Sequence, residues 1–485
     1  MSSSHFDVII IGAGLSGISA GYHLHKNCPD KTYTILEGRS NIGGTWDLFK
    51  YPGIRSDSDM HTLGFSFRPW KEAKAIADGP AILKYMRETA DQLGIQKKIQ
   101  FNKQVTTISW QTDGSQWTVH TKSKQGNHDE TTLMTCNFLF VCTGYYKYSE
   151  GYTPSFDGMA EFKGQIIHPQ KWDVDYDYNS KKVIVIGSGA TAVTLIPELA
   201  KKADTVTMLQ RSPTYMIARP SEDSLANFLS KILPDRLTYK IIRWKNIIIG
   251  LLFFQAAQRF PEKIKQYLMG LLRDEIGPQI NVDTHFKPNY NPWDQRLCLV
   301  PNGDLFESIK KEETSIITEE IDQFTPDGIK LKSGKELQAD LIITATGINL
   351  EFLGGIEVYT DGKEIIPGEL VYYKGMMYSD IPNLATSMGY TNASWTLKCD
   401  LICHYVCRLL NHMKKHNKNC CTPRIKDTNM KTKPYMELKS GYVLRSAAKL
   451  PKQGYKRPWC INQNYLIDLI HMKYNQLEDG TIEFT

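Results

Sequence analysis

Two glycine-rich loops, each set between an apolar strand and a helical stretch, predict an α/β fold of two dinucleotide-binding, Rossmann-like domains. Two similar strand ends, at residues 138–144 and 340–347, flank the second loop and predict that its domain is inserted into the first. Helical character at about residues 220–290 adds a helical insertion within that second domain.

The first loop, Gly12-Ala13-Gly14-Leu15-Ser16-Gly17, follows Val8-Ile9-Ile10-Ile11, a β-branched run of the kind that fills a parallel strand buried on both faces. Gly12 permits the tight turn, Gly14 lets the backbone approach a pyrophosphate, and Gly17 lets helix and strand pack closely, with the helix N-terminus facing the anion. About 20 residues further on, Glu37 ends the strand Tyr33-Thr34-Ile35-Leu36, where a carboxylate accepts hydrogen bonds from a ribose hydroxyl. The second loop, Gly187-Ser188-Gly189-Ala190-Thr191-Ala192, lies between Val183-Ile184-Val185-Ile186 and a helical stretch through Leu199. Its second strand, Val206-Thr207-Met208-Leu209, ends in Gln210-Arg211-Ser212 with no carboxylate. An acid there would repel a 2′-phosphate, whereas Arg211 can grip one bidentately and Ser212 can donate to it. The second site therefore reads as an NADPH site and the first, with its acid, as an FAD site. Two dinucleotides on one chain point to electron transfer from a nicotinamide to a flavin. The expected domains are residues 1–146 and 334–485 for FAD and residues 147–333 for NADP, with the strand at 340–347 returning to the first.

Just ahead of the second loop stands Phe162-x-Gly164-x-x-x-His168-x-x-x-Trp172-Asp173. This segment resembles the fingerprint of the type I Baeyer-Villiger monooxygenases, and the chain is similar to that family over essentially its whole length. The runs Gly43-Gly44-Thr45-Trp46-Asp47, Tyr51-Pro52-Gly53-Ile54-Arg55-Ser56-Asp57 and Gly389-Tyr390-Thr391-Asn392-Ala393-Ser394-Trp395 look most similar to the branch containing ethionamide-activating enzymes. The resemblance implies an oxidoreductase that takes FAD, NADPH and O2. It implies insertion of one oxygen atom beside a ketone carbonyl to give an ester or lactone, with sulfides or thioamides as a second substrate class. It also implies flavin contacts at Ser16, Thr45, Trp46, Asp47, Asp57, Val105 and Asn392.

Such chemistry needs a fixed positive charge beside an anionic oxygen nucleophile, and arginine suits it because it keeps its proton at working pH. By resemblance this is Arg296, in Asn291-Pro292-Trp293-Asp294-Gln295-Arg296, with Asp57 orienting it and Asp59 as the alternative. The preceding position, often a lysine in the family, is Gln295, which leaves Arg211 and Ser212 as the main readers of the 2′-phosphate. His168 completes the candidate catalytic set, by resemblance in a hinge and cofactor-coupling role ahead of direct proton transfer. Thr391-Asn392 precedes a helical pattern over residues 393–410 and would cap a helix aimed at the flavin.

At 485 residues the chain is long enough for two cores. Its net charge of +6 suits anionic cofactors, and no basic block with interleaved aromatics marks a nucleic-acid binder. The ten cysteines form no CxxC pair. Cys28 stands alone near the first loop, against a disulfide reductase, and Cys399, Cys403 and Cys407 read as packing residues on one helix face, so no metal site is expected. The first strand begins within a few residues of Met1, leaving no opening signal peptide, and the expected location is cytoplasmic. Residues 241–260 are apolar, flanked by Arg243, Lys245, Arg259 and Lys263, and too short and interrupted to span a bilayer. They read as a core helix of the insertion, with a membrane-surface helix as the less favoured alternative. Two other functions stay open: an S- or N-oxygenating flavin monooxygenase and a slow redox-responsive FAD/NADP-binding protein.

Overall fold

The computed structural model describes residues 4–125, 128–427 and 429–485. The strand Ser4–Ile11 pairs in parallel with Tyr33–Leu36 on one side and with His128–Val141 on the other. Val8, Ile9 and Ile10 are fully buried, as a strand covered on both faces demands. The sheet continues as an antiparallel meander through Gln116–Gln125 to Gln104–Gln111, then to Glu357–Thr360, while Leu384–Thr386 adds a parallel strand against His128–Val141. Helix Leu15–Asn27 covers this sheet together with the long helix Trp395–Lys415, and Ile18, Leu24, Ile402 and Val406 meet in one core. Cys399, Cys403 and Cys407 are buried on that helix, where they pack towards Leu15–Asn27: Ser16 Oγ and Cys399 Sγ are 3.3 Å apart.

The second sheet is wholly parallel, in the order Thr314–Thr318, Thr205–Gln210, Lys182–Ile186, Leu341–Thr344, Gln165–Ile167. Its fourth strand corrects the expectation that residues 340–347 return to the first domain. Leu341, Ile342 and Ile343 are fully buried between Val183-Ile184-Val185 and Gln165-Ile166-Ile167. The expected boundary at 334 falls on Gly334, inside the turn joining Gly328–Leu331 to Glu336–Gln338. That antiparallel unit packs through Phe324, Ile329 and Leu331 onto Ile184 and Ile342 of the second sheet, so the second domain keeps it. The crossings between domains are Tyr146–Gly151 and Ile348–Leu350, which pair with each other, and the chain rejoins the first sheet only at Glu357–Thr360.

The insertion is helical where expected, with Ser224–Leu229, Asp235–Arg259, Pro261–Ile276 and Val282–His285. Asp235–Arg259 is not the core helix that its apolar run suggested. Tyr239, Ile242 and Ile247 are buried, whereas Ile241, Trp244, Ile248 and Leu252 are exposed, because the helix lies on the molecule with one face uncovered. Among the described residues no helix is long and apolar enough to cross a membrane.

Candidate active site

The first glycine loop borders a cavity of about 760 Å³. A Cβ on Gly12 (φ 102°) would lie 2.7 Å from Cys142 O, and one on Gly17 only 1.9 Å from Gly12 O, so turn, strand and helix fit together only without side chains. Helix Leu15–Asn27 begins at Gly14 with no side-chain cap, which leaves its first backbone N–H groups for an anion. Glu37 is buried and accepts from the Ala13 N–H at 2.7 Å and the Arg39 N–H at 2.9 Å; burial nevertheless pushes its carboxyl above the usual range. Ser16, Thr45, Trp46 and Val105 line the same cavity, and Ser16 Oγ accepts from Trp395 Nε1 at 2.9 Å. Uncapped amides, a glycine cradle and a carboxylate at the end of the second strand fit the adenosine diphosphate half of FAD. Asp47 stands behind this wall instead of in it: its buried carboxylate accepts from Arg39 at 2.6 Å and Arg87 at 3.2 Å, and Arg39 is the group that faces the cavity.

The second glycine loop borders a cavity of about 870 Å³, lined also by Thr191, Arg211, Ser212 and Gln295. A Cβ on Gly187 (φ 136°) would lie 2.4 Å from Ala345 O, and the helix Ala190–Leu199 starts at Gly189 without a side-chain cap. Ser188 Oγ donates to Ser212 O at 3.0 Å, tying the loop to the end of the next strand. Arg211 and Ser212 are exposed and reach the cavity, whereas Ala192 is fully buried in the domain core and does not line it. Glu319 and Glu320, which sequence reasoning did not single out, border the same cavity.

Asp57 and Arg296 border both cavities and a third of about 570 Å³, so three chambers meet at this pair. Arg296 Nη1 donates to Asp57 Oδ2 at 3.3 Å, across 239 residues of chain. Burial works against the guanidinium charge, but the acidic groups around it outweigh burial, Asp57 being the one ionised at working pH, and the arginine keeps its proton. Burial pushes Tyr146 and Tyr442 up to about 12, and Tyr145 higher, so all three phenols stay protonated. Asp59 does something else: its side chain caps the helix Met60–Leu63, accepting from the Thr62 N–H at 3.0 Å. The phenols were missed in the sequence; their one signal is Tyr145-Tyr146 directly after the small-residue strand end at Gly144.

Asn392 lines the third cavity, not the first; Nδ2 donates to Gln463 O at 2.9 Å and Oδ1 is buried without a partner. The helix expected over residues 393–410 begins at Trp395, and neither Thr391 nor Asn392 caps it. Ser394 takes the cap position, but its hydroxyl bonds Thr62 Oγ1 at 2.6 Å, which leaves the helix start open.

The fingerprint forms the edge of the second sheet and the join between domains. Phe162 is buried against Phe324, and Gly164 passes so close to Asp340 O that a Cβ would lie 2.4 Å from it. Trp172 is buried edge-on to Tyr178, while Asp173 is exposed and accepts from the Asp175 N–H at 3.0 Å. His168 sits between the two crossings: Nε2 lies 3.0 Å from Gly347 O, Nδ1 accepts from the Gln170 N–H at 3.1 Å, and its ring packs on Gly151. Burial lowers its pKa, so the ring is neutral, and its partners assign the proton to Nε2, donating to Gly347.

Residues 6–246 match the model of the flavin-binding monooxygenase-like family. The chain is 49% identical over 483 residues to the FAD-containing monooxygenase EthA of Mycobacterium tuberculosis, covering 99% of this chain and 98% of that protein. It is 43% identical to the probable FAD-binding monooxygenase AlmA of Acinetobacter baylyi, covering 99% and 96%. Among solved structures, an open form of cyclohexanone monooxygenase matches with a TM-score of 0.77 and 18% identity over all of both chains. A steroid monooxygenase bound to NADP matches with a TM-score of 0.73 and 22% identity, covering 87% of this chain and 88% of that one. Identity of this order along nearly the entire length settles kinship: the chain belongs to the family of FAD-containing, flavin-binding monooxygenases.

Proposed function

We propose that this monooxygenase uses NADPH and O2 to convert ketones to esters or lactones. The reading rests above all on the Arg296–Asp57 pair at the meeting point of three cavities, two bordered by glycine loops and one walled by the helical insertion. When bound, the flavin supplies the redox chemistry, accepting a hydride from the nicotinamide and activating O2.

The residues supply placement and charge. Glu37, Gly14 and the open start of helix Leu15–Asn27 hold one dinucleotide, and Arg211, Ser212 and the loop at Gly187 hold the other. Arg296 brings a permanent positive charge to the junction, where negative charge must be carried during attack on a carbonyl. Asp57 holds that guanidinium in place, and the neutral phenols around the pair add no further negative charge. The carbonyl substrate enters the third cavity, beside Asn392 and Tyr390. An electrophilic S- or N-oxygenation needs a protonated oxygen species, which a fixed cation opposes. His168 holds the two crossings together and positions the domains.

The test is NADPH consumption by flavin-loaded protein under labelled O2, with and without 2-octanone, and mass spectrometry of the product. Ketone-stimulated consumption and an ester carrying one labelled atom are expected. Consumption that ignores ketones but responds to thioethers or amines replaces this reading with S- or N-oxygenation.

A further inference from the structure

The helical insertion carries more apolar surface than folding explains. Of twenty large apolar side chains exposed among the described residues, twelve lie between Leu225 and Leu271. On helix Asp235–Arg259 they form one stripe, Leu237, Ile241, Trp244, Ile248 and Leu252, at three- and four-residue spacing. Phe228 and Ile232 extend the surface at one end, and Trp244 meets Tyr465 edge-on, which joins it to the exposed Leu466 and Ile470 of helix Tyr465–Lys473. A monomeric surface rarely leaves so large a set uncovered without a use.

Charge distinguishes the occupant. Residues 224–271 hold eight basic and two acidic side chains, a net excess equal to that of the entire chain. Arg243 is buried and Lys245 is paired with Asp223, but Lys231, Arg236, Lys240, Arg259, Lys263 and Lys265 form none of the observed ion pairs. Arg236 and Lys240 run beside the stripe one residue ahead of Leu237 and Ile241, and Arg259 and Lys263 both lie over the ring of Phe260. Apolar and aromatic side chains beside flexible cations match an anionic lipid surface, into which the rings sink while the cations reach the headgroups.

The third cavity, assigned to the substrate above, borders the same surface. Leu225 and Ile249, both exposed on the insertion, line the third cavity, which Arg296 and Asp57 also border. The geometry points to docking of the helical insertion on anionic membranes, with the third cavity opening towards the lipid and filling with lipophilic, membrane-dissolved ketones. The docking stands on the surface alone; the choice of ketones rests on the oxygenation reading above. The helix lies on the bilayer and does not cross it.

The experiment uses full-length, flavin-loaded protein and sedimentation with vesicles of phosphatidylcholine alone or with about one-third phosphatidylglycerol. Binding to the anionic vesicles that weakens with salt is expected, along with weak binding to the neutral ones. The variant Ile241→Glu/Ile248→Glu/Leu252→Glu changes only exposed positions outside the cavity walls, and its flavin absorbance and melting temperature verify the fold. It should lose about 100-fold in partition coefficient, and Arg236→Gln/Lys240→Gln should lose binding selectively to anionic vesicles. Absence of vesicle binding by the parent protein, or unchanged binding by the triple variant, overturns the proposal. A dimer that the triple variant converts to monomer, without vesicle binding by either, assigns the face to a second copy instead. If vesicles are bound but no ketone is oxidised, docking stands and the oxygenation reading fails.

Discussion

Asp57 and Asp59 share one polar stretch, yet only Asp57 meets Arg296, because Asp59 is held at the start of helix Met60–Leu63 by the Thr62 N–H. Asp59→Ala should cost about 1 kcal/mol of stability, seen in denaturant unfolding, while the Arg296–Asp57 pair stays in place. Asp57→Ala should leave stability nearly unchanged and lower kcat, since it frees the guanidinium without removing it. Arg296→Ala should lower ketone oxygenation by about 100-fold or more while flavin content stays normal. A variant that kept the original ketone rate would remove Arg296 from the mechanism. Spacing could not choose between the two aspartates, since both stand in one loop and only the folded backbone shows which carboxylate meets Arg296. The ring of phenols was hidden for a related reason: Tyr442 reaches Arg296 from the C-terminal segment, a convergence that no local pattern encodes.

At the scale of elements, the two glycine loops were plain in the sequence because glycine spacing, apolar strands and helix starts all act locally. The glycines within them are not equivalent. Gly17→Ala forces a Cβ to 1.9 Å from Gly12 O and should abolish flavin retention, read from the visible spectrum after gel filtration. Gly189→Ala meets nothing within 4 Å, so the protein should fold and keep its flavin, with a raised KM for NADPH because the added carbon stands where the phosphate approaches. The strand Leu341–Thr344 was legible as a strand but not as a member of the second sheet. Its small-residue end copies that of His128–Val141, and which sheet a buried strand joins depends on partners more than 150 residues away. The helix Asp235–Arg259 was legible as an apolar helix, whereas the exposure of one of its faces depends on what the rest of the chain leaves uncovered.

For the molecule as a whole, burial holds His61, His168, His285 and His404 below the ordinary histidine pKa. The unfolded chain takes up protons at these sites that the folded one refuses. Stability therefore rises with pH through this range and is lost as pH falls below about 6.5, the ordinary histidine value. Melting temperatures between pH 7.5 and 5 should decline, and His168→Gln should flatten the decline if its fold is kept. A flat profile would mean that these rings accept protons without leaving their places.

Residues of the helical insertion line only the third chamber; none of them reaches either chamber bordered by a glycine loop. Heritable variation in residues 224–253 is thereby insulated from the parts that handle dinucleotides. Under the proposed function, a lineage carrying this architecture can change its diet of molecules by altering this one surface-borne segment, without relearning how to hold its cofactors.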